Sequence, residues 1–234
     1  MQRLRADRQL PALLMVAETQ TAGRGRHGRR WQSAPGASLT FTLGLQAAPA
    51  QLAGLSLAVG VALAEALDPG PAPRLQLKWP NDLWLADGPG RWRKLGGILI
   101  ETVVAGERRS AVIGIGLNLR PLPATDEPLA MGQACVNELD PAADAPGLLL
   151  RLLPPLVAAL QHFEREGLAP FLEGWRRRDL LAGRAVSLGD DGAEAGVVQG
   201  VDAQGALHLR QGGVDRFVHG GEVRVRPLTS PQEA

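Results

Sequence analysis

Residues Ala22–Ser33 read AGRGRHGRRWQS, and this stretch decides how the rest of the chain is interpreted. It holds three glycines and four arginines within eight positions, and the apolar run LLMVA, Leu13–Ala17, leads into it. Glycine lets the backbone turn sharply and approach a ligand closely. Arginine supplies a rigid, forked cation that suits phosphate and carboxylate oxygens. The pattern therefore predicts an anion-binding loop at the end of a strand.

The glycine spacing of this loop also fits the dinucleotide fingerprint G-x-G-x-x-G, through Gly23, Gly25 and Gly28. That fingerprint requires a helix that opens at the loop and an acidic residue about 20 positions later. Pro35 and Gly36 interrupt any such helix, and the region where the acidic residue should lie contains no Asp or Glu. The P-loop pattern G-x-x-x-x-G-K-[ST] occurs nowhere in the chain. Both of these nucleotide-binding interpretations are therefore rejected.

Length, charge and cysteine content limit the classes of protein that fit. The 234 residues can form one large domain, or a medium domain with a small appendage, and can bury a substantial core. A formal net charge of +1 gives no reason to expect a general polyanion binder, and too few residues precede the first strand for a DNA-binding module. No apolar run approaches the roughly 18 residues of a membrane span. The single cysteine, Cys135, excludes intramolecular disulfides, and we expect a cytoplasmic protein that does not bind DNA.

Lysine is almost absent from the chain. Among 25 basic residues only Lys78 and Lys94 are lysine, and the other 23 are arginine. A chain that otherwise uses arginine is expected to keep lysine where a compact ammonium is needed. Both lysines are therefore candidate functional residues.

Hydrophobic periodicity divides the chain into a sheet with helices, followed by a region of short strands. The predicted elements are a short helix over residues 3–9, strands over 13–18, 39–45, 75–79 and 83–85, a hairpin of 94–104 with 110–119, and helices over 52–66, 148–164 and 168–181. We expect Pro155 to disrupt the first part of the 148–164 helix, and Arg176–Arg178 to form a solvated helix end. Residues 184–226 break into four or five short strands with Gly and Asp turns, which is typical of a small barrel.

Four sequence blocks and the barrel follow one another along the chain. The blocks are ETQTAGRGRHGRRW (18–31), KWPNDLW (78–84), KLGGILIE (94–101) and GIGLNL (114–119). Together with the barrel they resemble the biotin protein ligases, or biotin–[acetyl-CoA-carboxylase] ligases, in the short form that lacks the N-terminal DNA-binding domain. The resemblance covers nearly the whole chain. It implies an α/β (α+β) fold, with a class II synthetase-like catalytic domain and mixed sheet over residues 1–181, an SH3-like barrel over 182–228 and a tail over 229–234.

The resemblance also implies an ATP-dependent ligase reaction in two steps. Biotin is activated as biotinyl-5′-AMP with release of pyrophosphate, and it is then transferred to a lysine of a biotin carboxyl carrier protein, the carrier domain of acetyl-CoA carboxylase. Biotin and ATP are the implied substrates, and Mg²⁺ is the implied metal. The edge of the hairpin Lys94–Leu119 is a candidate surface for a homodimer.

Site residues carry over from the family to the matching positions of this sequence. The resemblance implies that Arg26 and Lys94 are catalytic, which agrees with the scarcity of lysine. The implied biotin-binding residues are Gln20, Arg24, Gly25, Arg26, Lys94, Gly96, Gly97, Gly114 and Gly116. The implied ATP-binding residues are Arg24, Arg26, Arg29, Trp31, Asn81 and Asn118. Asp82 is the implied contact for Mg²⁺, with a simple Asn-Asp turn as the alternative interpretation, whereas Lys78 and Trp79 are interpreted as scaffold.

Two other functions stay open at this point. The family carries a Ser/Thr-Thr-Asn segment that contacts biotin and that would precede Met1, so the chain is alternatively a binding-only protein that holds biotin or its adenylate. A lipoate or octanoate ligase of the same fold superfamily is the second alternative, although GRGRHG and KWPND argue against it. Transfer to a carrier distinguishes a ligase from the binding-only protein.

Overall fold

The computed structural model describes residues 12–45, 52–105, 108–122, 132–188, 194–219 and 225–227. The short helix predicted over residues 3–9 and the tail predicted over 229–234 lie outside these ranges. Within them the chain forms two β-sheets and three α-helices.

The first sheet has six strands, in the regions where alternating apolar residues predicted them. The strands are β1 (Ala12–Ala17), β2 (Ser38–Leu45), β3 (Leu75–Lys78), β4 (Asp82–Ala86), β5 (Trp92–Ala105) and β6 (Arg108–Asn118). They lie in the order β1-β2-β6-β5-β4-β3, and each pairing between them is antiparallel. The described part of this sheet is mixed only through isolated parallel bridges, which join Leu77 to Asp179 and Lys94 to Gln133.

Helices pack against one face of this sheet. They are α1 (Leu55–Leu67), α2 (Ala145–Glu166) and α3 (Leu172–Arg178). Along β6, Ile113 and Ile115 are buried in the core shared with the helices, whereas Gly114 and Gly116 alternate onto the opposite face. Almost every side of α1 is buried because it lies between the sheet and α2, as its apolar sequence predicts. No helix in the described ranges is long and apolar enough to cross a membrane.

The prediction that Pro155 disrupts its helix is wrong. Helix α2 runs without interruption from Ala145 to Glu166 and contains both Pro154 and Pro155. A proline inside a helix frees the carbonyl four residues earlier, here those of Leu150 and Arg151. All four of these residues are exposed, so water can satisfy the freed carbonyls. The N-terminus of the helix is also capped, because the Asp144 carboxylate accepts a hydrogen bond from the Gly147 N–H at 2.7 Å.

The prediction of a solvated end for the last helix is wrong at Arg178. Arg176 and Arg177 are exposed and pair with Glu173 and Glu65, but Arg178 is only 3% exposed. Its guanidinium donates hydrogen bonds to the backbone carbonyls of Leu75 and Asp68, which joins α3 to the start of β3 and the end of α1. The predicted helix over 168–181 is also shorter, since a 3₁₀ turn at Ala169–Phe171 precedes α3.

The second sheet lies C-terminal to the helices. Its strands are β7 (Ala185–Leu188), β8 (Glu194–Val201), β9 (Leu207–Gln211), β10 (Val214–Val218) and β11 (Val225–Pro227). They pair antiparallel in the order β10-β9-β8-β7-β11. The predicted run of short strands is confirmed, and with the first sheet and its helices it confirms the predicted fold class. The predicted domain boundary at residues 181–182 falls between α3 and β7 and stays a prediction.

Candidate functional site

A cleft of about 800 Å³ lies where the two sheets meet. One wall is the loop Arg24–Gly28, and a second is formed by the turn Trp79–Asn81 with residues 98–101 of β5. The start of α1 and residues 204–206 of the second sheet complete the lining. The cleft is therefore assembled from segments that are far apart in the sequence, including the predicted barrel.

The arginine-glycine loop is closed by its own backbone. The Gly25 N–H donates to the Arg29 carbonyl at 2.7 Å, and the Trp31 N–H donates to the Gly23 carbonyl at 2.9 Å. Gly23 must be glycine, because a Cβ there would lie 2.5 Å from the Trp31 carbonyl oxygen. The loop thus presents the arginines from a fixed turn that follows β1, as predicted for an anion-binding loop.

Arg26 reaches across the cleft to the turn before β4. Its Nη1 donates to Asn81 Oδ1 at 3.2 Å, while Asn81 Nδ2 donates to the Ile98 carbonyl at 2.7 Å. Burial lowers the pKa of the Arg26 guanidinium, and the nearby Asp82 carboxylate opposes that shift. Asn81 therefore connects the loop to β5, and Arg26 is held partly desolvated beside a carboxylate.

Lys94 forms an ion pair with Asp82, next to Asn81. Lys94 Nζ lies 2.7 Å from Asp82 Oδ1, and the two side chains are 24% and 21% exposed. Gly97 stands opposite Asp82 in the sheet, and a Cβ at Gly97 would lie only 3.3 Å from Asp82 Oδ1 and 3.7 Å from Lys94 Nζ. Arg26, Asp82 and Lys94 therefore form one charge cluster, and the Asp82 and Lys94 side chains lie against Gly97.

Most of the predicted site residues fall into two neighbouring groups. The cleft lining contains Arg24, Gly25, Arg26 and Asn81. The second group lies on the open face, which we define as the side of the first sheet opposite the helices, around the facing pair Gly97 and Gly116. Arg29 is exposed, and it is not among the residues that line the cleft. The Gln20 side chain packs at the base of the loop, where a Cβ on Gly23 would lie 2.9 Å from Gln20 Oε1.

The four glycines of the hairpin differ in what occupies the space beside them. A Cβ at Gly96 would meet the Gly116 carbonyl oxygen at 2.6 Å, and one at Gly116 would meet the Trp31 indole at 2.5 Å. Alanine at Gly114 would make only ordinary contacts, the nearest at 3.5 Å. Gly114 thus leaves room on the open face, Gly97 lies against the Asp82 and Lys94 side chains, and the space at Gly96 and Gly116 is filled by the protein itself.

Trp31 packs directly on Gly116, and its indole nitrogen is buried. In the described structure Trp31 Nε1 has no hydrogen-bond partner. A buried indole N–H ordinarily has a partner. Trp31 is therefore positioned as a wall of the open face with an indole N–H available to a ligand, and its implied role in ATP binding stays a prediction.

Asn118 and Trp79 are held by the protein's own backbone. Asn118 is 4% exposed and its Nδ2 donates to the carbonyls of Lys94 and Ala134, at 3.1 and 3.2 Å. Trp79 is buried and donates through Nε1 to the Gly205 carbonyl at 2.9 Å, which supports its interpretation as scaffold. The ring of Trp84 lies under the Lys78 ammonium, 4.7 Å from it.

Sequence reasoning did not single out Glu101 or the residues of the second sheet that line the cleft. Glu101 Oε2 lies 3.9 Å from Arg24 Nη2 and belongs to the block KLGGILIE, so its position in that block was an available signal. Gln204, Gly205 and His219 reach the cleft through tertiary packing, for which no local sequence pattern exists. A Cβ at Gly205 would lie 2.9 Å from the Gly54 Cα, so the second sheet is in close contact with the start of α1 here.

Comparison with known proteins relates this geometry to a family. Residues 2–118 match the model of the Biotin/lipoate A/B protein ligase family. The Bifunctional ligase/repressor BirA of Salmonella typhimurium is 40% identical over 215 residues, which are 90% of this chain and 66% of that protein. The chain therefore spans just under two thirds of the length of that relative.

Two further matches cover a larger share of the matched protein. The biotin–[acetyl-CoA-carboxylase] ligase of Paracoccus denitrificans is 37% identical over 205 residues, which are 84% of this chain and 83% of that protein. The solved biotin protein ligase from Aquifex aeolicus in complex with biotin and ATP superposes with a TM-score of 0.80 at 26% identity, over 97% of this chain and 94% of that one. On the family model, the sequence identity and the shared fold, this chain belongs to the Biotin/lipoate A/B protein ligase family.

Proposed function

We propose that this chain is an ATP-dependent ligase that activates biotin as biotinyl-5′-AMP and transfers it to a lysine of a biotin carboxyl carrier protein. The observation that carries the proposal is the charge cluster of Arg26, Asp82 and Lys94 at the junction of the cleft and the open face. The names of the Paracoccus and Aquifex relatives, the second with biotin and ATP bound, supply the substrates.

Both substrates of the first step are anions, and the cationic side chains suit them. Lys94 and Arg26 would contact the biotin carboxylate and the α-phosphate, with Arg24 and Gly25 beside them on the loop. Charge-assisted hydrogen bonds of this kind contribute roughly 1.5–3 kcal/mol each. The rings of biotin would lie on the open face, where Gly114 leaves room and Gly97 carries no side chain, with Gln20 as a hydrogen-bond partner. We assign Asn81, Arg29 and Trp31 to the nucleotide side.

The chemistry follows from these positions. A carboxylate oxygen of biotin attacks the α-phosphorus of ATP, the bond to the β-phosphate oxygen breaks, and pyrophosphate leaves. The neutral carrier amine then attacks the biotinyl carbonyl carbon, the bond from that carbon to the phosphate oxygen breaks, AMP leaves with the bonding electron pair, and the nitrogen releases a proton to solvent as the amide forms. Negative charge develops on phosphate oxygens in both steps, so fixed cations in a water-poor site lower both barriers.

The residues around Asp82 could bind Mg²⁺ only together with the phosphates of ATP. Within the described ranges no cluster of three His, Cys, Asp or Glu side chains could hold a metal ion alone. Mg²⁺ in nucleotide sites commonly uses one or two carboxylates together with substrate phosphates and water. We therefore assign Mg²⁺ to the phosphates of ATP with Asp82 as the carboxylate contact, where the metal would neutralise phosphate charge.

The edge of β5 offers a place for a partner. Strand β4 pairs with β5 only as far as Gly97, and Asn81 covers Ile98, so residues 99–104 have no described strand on that side. Exposed N–H and C=O groups on such an edge can pair with a further strand. We propose this edge for the second copy in a homodimer. The one cysteine, Cys135, is a buried free thiol, which is consistent with a reducing cytoplasm.

The test is transfer of labelled biotin to a purified carrier domain in the presence of ATP and Mg²⁺. We expect transfer by the chain as it stands, and a loss of about 100-fold or more in Lys94→Ala and in Arg26→Ala, the order of magnitude for removing a donor to a developing charge. Lys78→Ala is the matched control and should keep its rate. Binding of biotin or its adenylate with neither adenylate synthesis nor transfer would indicate the binding-only alternative, and transfer of lipoate in place of biotin would indicate the other ligase class.

A further inference from the structure

We infer that Asn118 is a positioning residue for Lys94, which it holds through the Lys94 backbone carbonyl. The inference rests on the proposed function of Lys94 and adds a role for Asn118 that differs from direct nucleotide contact. Asn118 is 4% exposed at the end of β6, and its amide nitrogen bridges the carbonyls of Lys94 and Ala134.

The orientation of the Asn118 amide follows from its neighbours. Both groups that face Nδ2 are carbonyl oxygens, which can only accept, so the nitrogen and not the oxygen must point at them. An asparagine amide has two N–H donors, and the two carbonyls use both. A ligand could therefore reach Asn118 only through Oδ1 while this arrangement persists.

The backbone at Lys94 needs such support because the regular ladder is interrupted there. Trp84 pairs with Lys94 and Leu83 pairs with Gly96, so Leu95 is an extra residue in a bulge. The ladder of β5 with β6 begins only at Gly96. On that side Lys94 is instead paired with residues 132–134, where its N–H donates to the Gly132 carbonyl and its carbonyl accepts from the Ala134 N–H.

Asn118 links the three backbone segments that meet at this bulge, which are the end of β6, β5 at Lys94, and residues 132–134. The neighbouring Arg93 fixes the same segment from the other side. Its guanidinium pairs with the Glu138 carboxylate and donates to the Gln133 carbonyl at 2.8 Å. Without the Asn118 amide, the Lys94 carbonyl would keep one hydrogen-bond donor instead of two. The backbone at Lys94 would then be held less rigidly, and so would the direction of the lysine side chain.

The position of Lys94 can be measured without any enzymatic assay, because the chain has only two lysines. Reductive methylation with ¹³C-formaldehyde places a dimethyl probe on each lysine and on the amino terminus, and a dimethylammonium keeps one N–H for Asp82. Lys78→Arg assigns the two lysine signals. We expect Asn118→Ala to shift and broaden the Lys94 signal, while the Lys78 signal, over Trp84, stays in place. Asn118→Ser, which keeps one donor, should give an intermediate change and serves as a second variant if the alanine protein does not fold.

Kinetics then separate positioning from nucleotide contact. If Asn118 acts through Lys94, its replacement should lower kcat of ATP–pyrophosphate exchange about tenfold or more with KM for ATP changed less than about twofold, since small misplacements of a catalytic group reduce rate more than binding. The same replacement should have little further effect in a Lys94→Ala background. An unchanged Lys94 signal together with a raised KM for ATP would overturn the inference in favour of direct nucleotide contact. Absence of exchange in the unmodified chain would refute the proposed function, and the methyl signals would still decide the positioning.

Discussion

Alanine substitutions at Gly114 and Gly116 should have opposite consequences, although both glycines lie on the open face of β6. At Gly116 a Cβ would lie 2.5 Å from two atoms of the Trp31 indole, about 1 Å inside ordinary contact. At Gly114 the nearest atom would be the Leu99 carbonyl oxygen at 3.5 Å, which is ordinary contact. The first substitution therefore tests packing inside the protein, and the second tests room for a ligand.

The magnitudes can be worked out from these contacts. Overpacking by one methyl group in a well-packed site costs roughly 1–3 kcal/mol. Replacing glycine by alanine at a compatible backbone position returns about 0.4–1 kcal/mol, because the unfolded chain has fewer conformations. Gly116→Ala should lower the free energy of unfolding by about 1–2 kcal/mol, or the melting temperature by about 2–8 °C for a chain of this length. Gly114→Ala should leave stability unchanged or raise it by up to about 1 kcal/mol.

Thermal unfolding and biotin titration of both variants provide the assay. Gly114→Ala should keep its melting temperature and lose biotin affinity, while the stability loss of Gly116→Ala should largely disappear in a Trp31→Ala background. The reasoning would be refuted at Gly116 if the loss persisted in that background, because the clash with the indole would then not be its cause. It would be refuted at Gly114 if biotin bound the variant as tightly as the unmodified chain.

Three further predictions concern stability and reactivity away from the proposed ligands. Arg178→Ala should destabilise the protein by about 3 kcal/mol, because the buried Leu75 carbonyl and the part-buried Asp68 carbonyl lose a charged donor, whereas the exposed Arg176→Ala should stay within about 0.5 kcal/mol; equal melting temperatures would contradict the assignment. Burial raises the pKa of Glu138, but hydrogen bonds from Arg93 and the Cys135 N–H outweigh it, so its net pKa is lowered from 4.5 and its stabilising contribution should be present above that value and lost as pH falls through the folded pKa. Denaturant unfolding of the unmodified chain and of Glu138→Gln between pH 7 and pH 3 should therefore show a stability difference that shrinks with acidification, and a constant difference would disprove it. Burial raises the pKa of the Cys135 thiol to about 11, so a thiol reagent at pH 8 should label it only after unfolding, and rapid labelling of the folded chain would count against its burial.

Features of the fold that depend on local periodicity were predictable from the sequence. The alternation in LTFTLGL and SAVIGIGLNL marks β2 and β6, since a period of two puts every other side chain in the core. The glycines of the loop indicated a turn, and Gly23 has no space for a side chain. The family and the fold class implied by the ordered blocks are confirmed, while the roles of individual site residues stay predictions.

Features that depend on tertiary surroundings were not predictable. Pro155 is compatible with a helix only because its face of α2 is exposed, and Arg178 is buried only because α3 ends beside the carbonyls of β3 and α1. Both residues were interpreted from their type and position along a helix, which do not specify which side meets the core. The contribution of Gly205 to the cleft depends on a contact with Trp79 across 126 positions of sequence.

The pairing of the cationic side chains has a consequence for binding. Arg26 contacts the neutral Asn81, Lys94 contacts Asp82, and Arg24 lies 3.9 Å from Glu101, so each cation already has a partner from the sheet. An incoming carboxylate or phosphate would therefore have to replace the existing partner of each cationic side chain. Because the Lys94 and Asp82 side chains remain about one fifth to one quarter exposed, that exchange leaves Asp82 able to turn to solvent or to a metal on the phosphates. Removing the carboxylate would leave Lys94 without its ion-pair partner before the ligand binds. Asp82 therefore has two candidate roles, which are to position the Lys94 ammonium and to contact the metal. Asp82→Asn should consequently impair the reaction even at saturating Mg²⁺, and full rescue by excess Mg²⁺ would show that metal binding is its whole role.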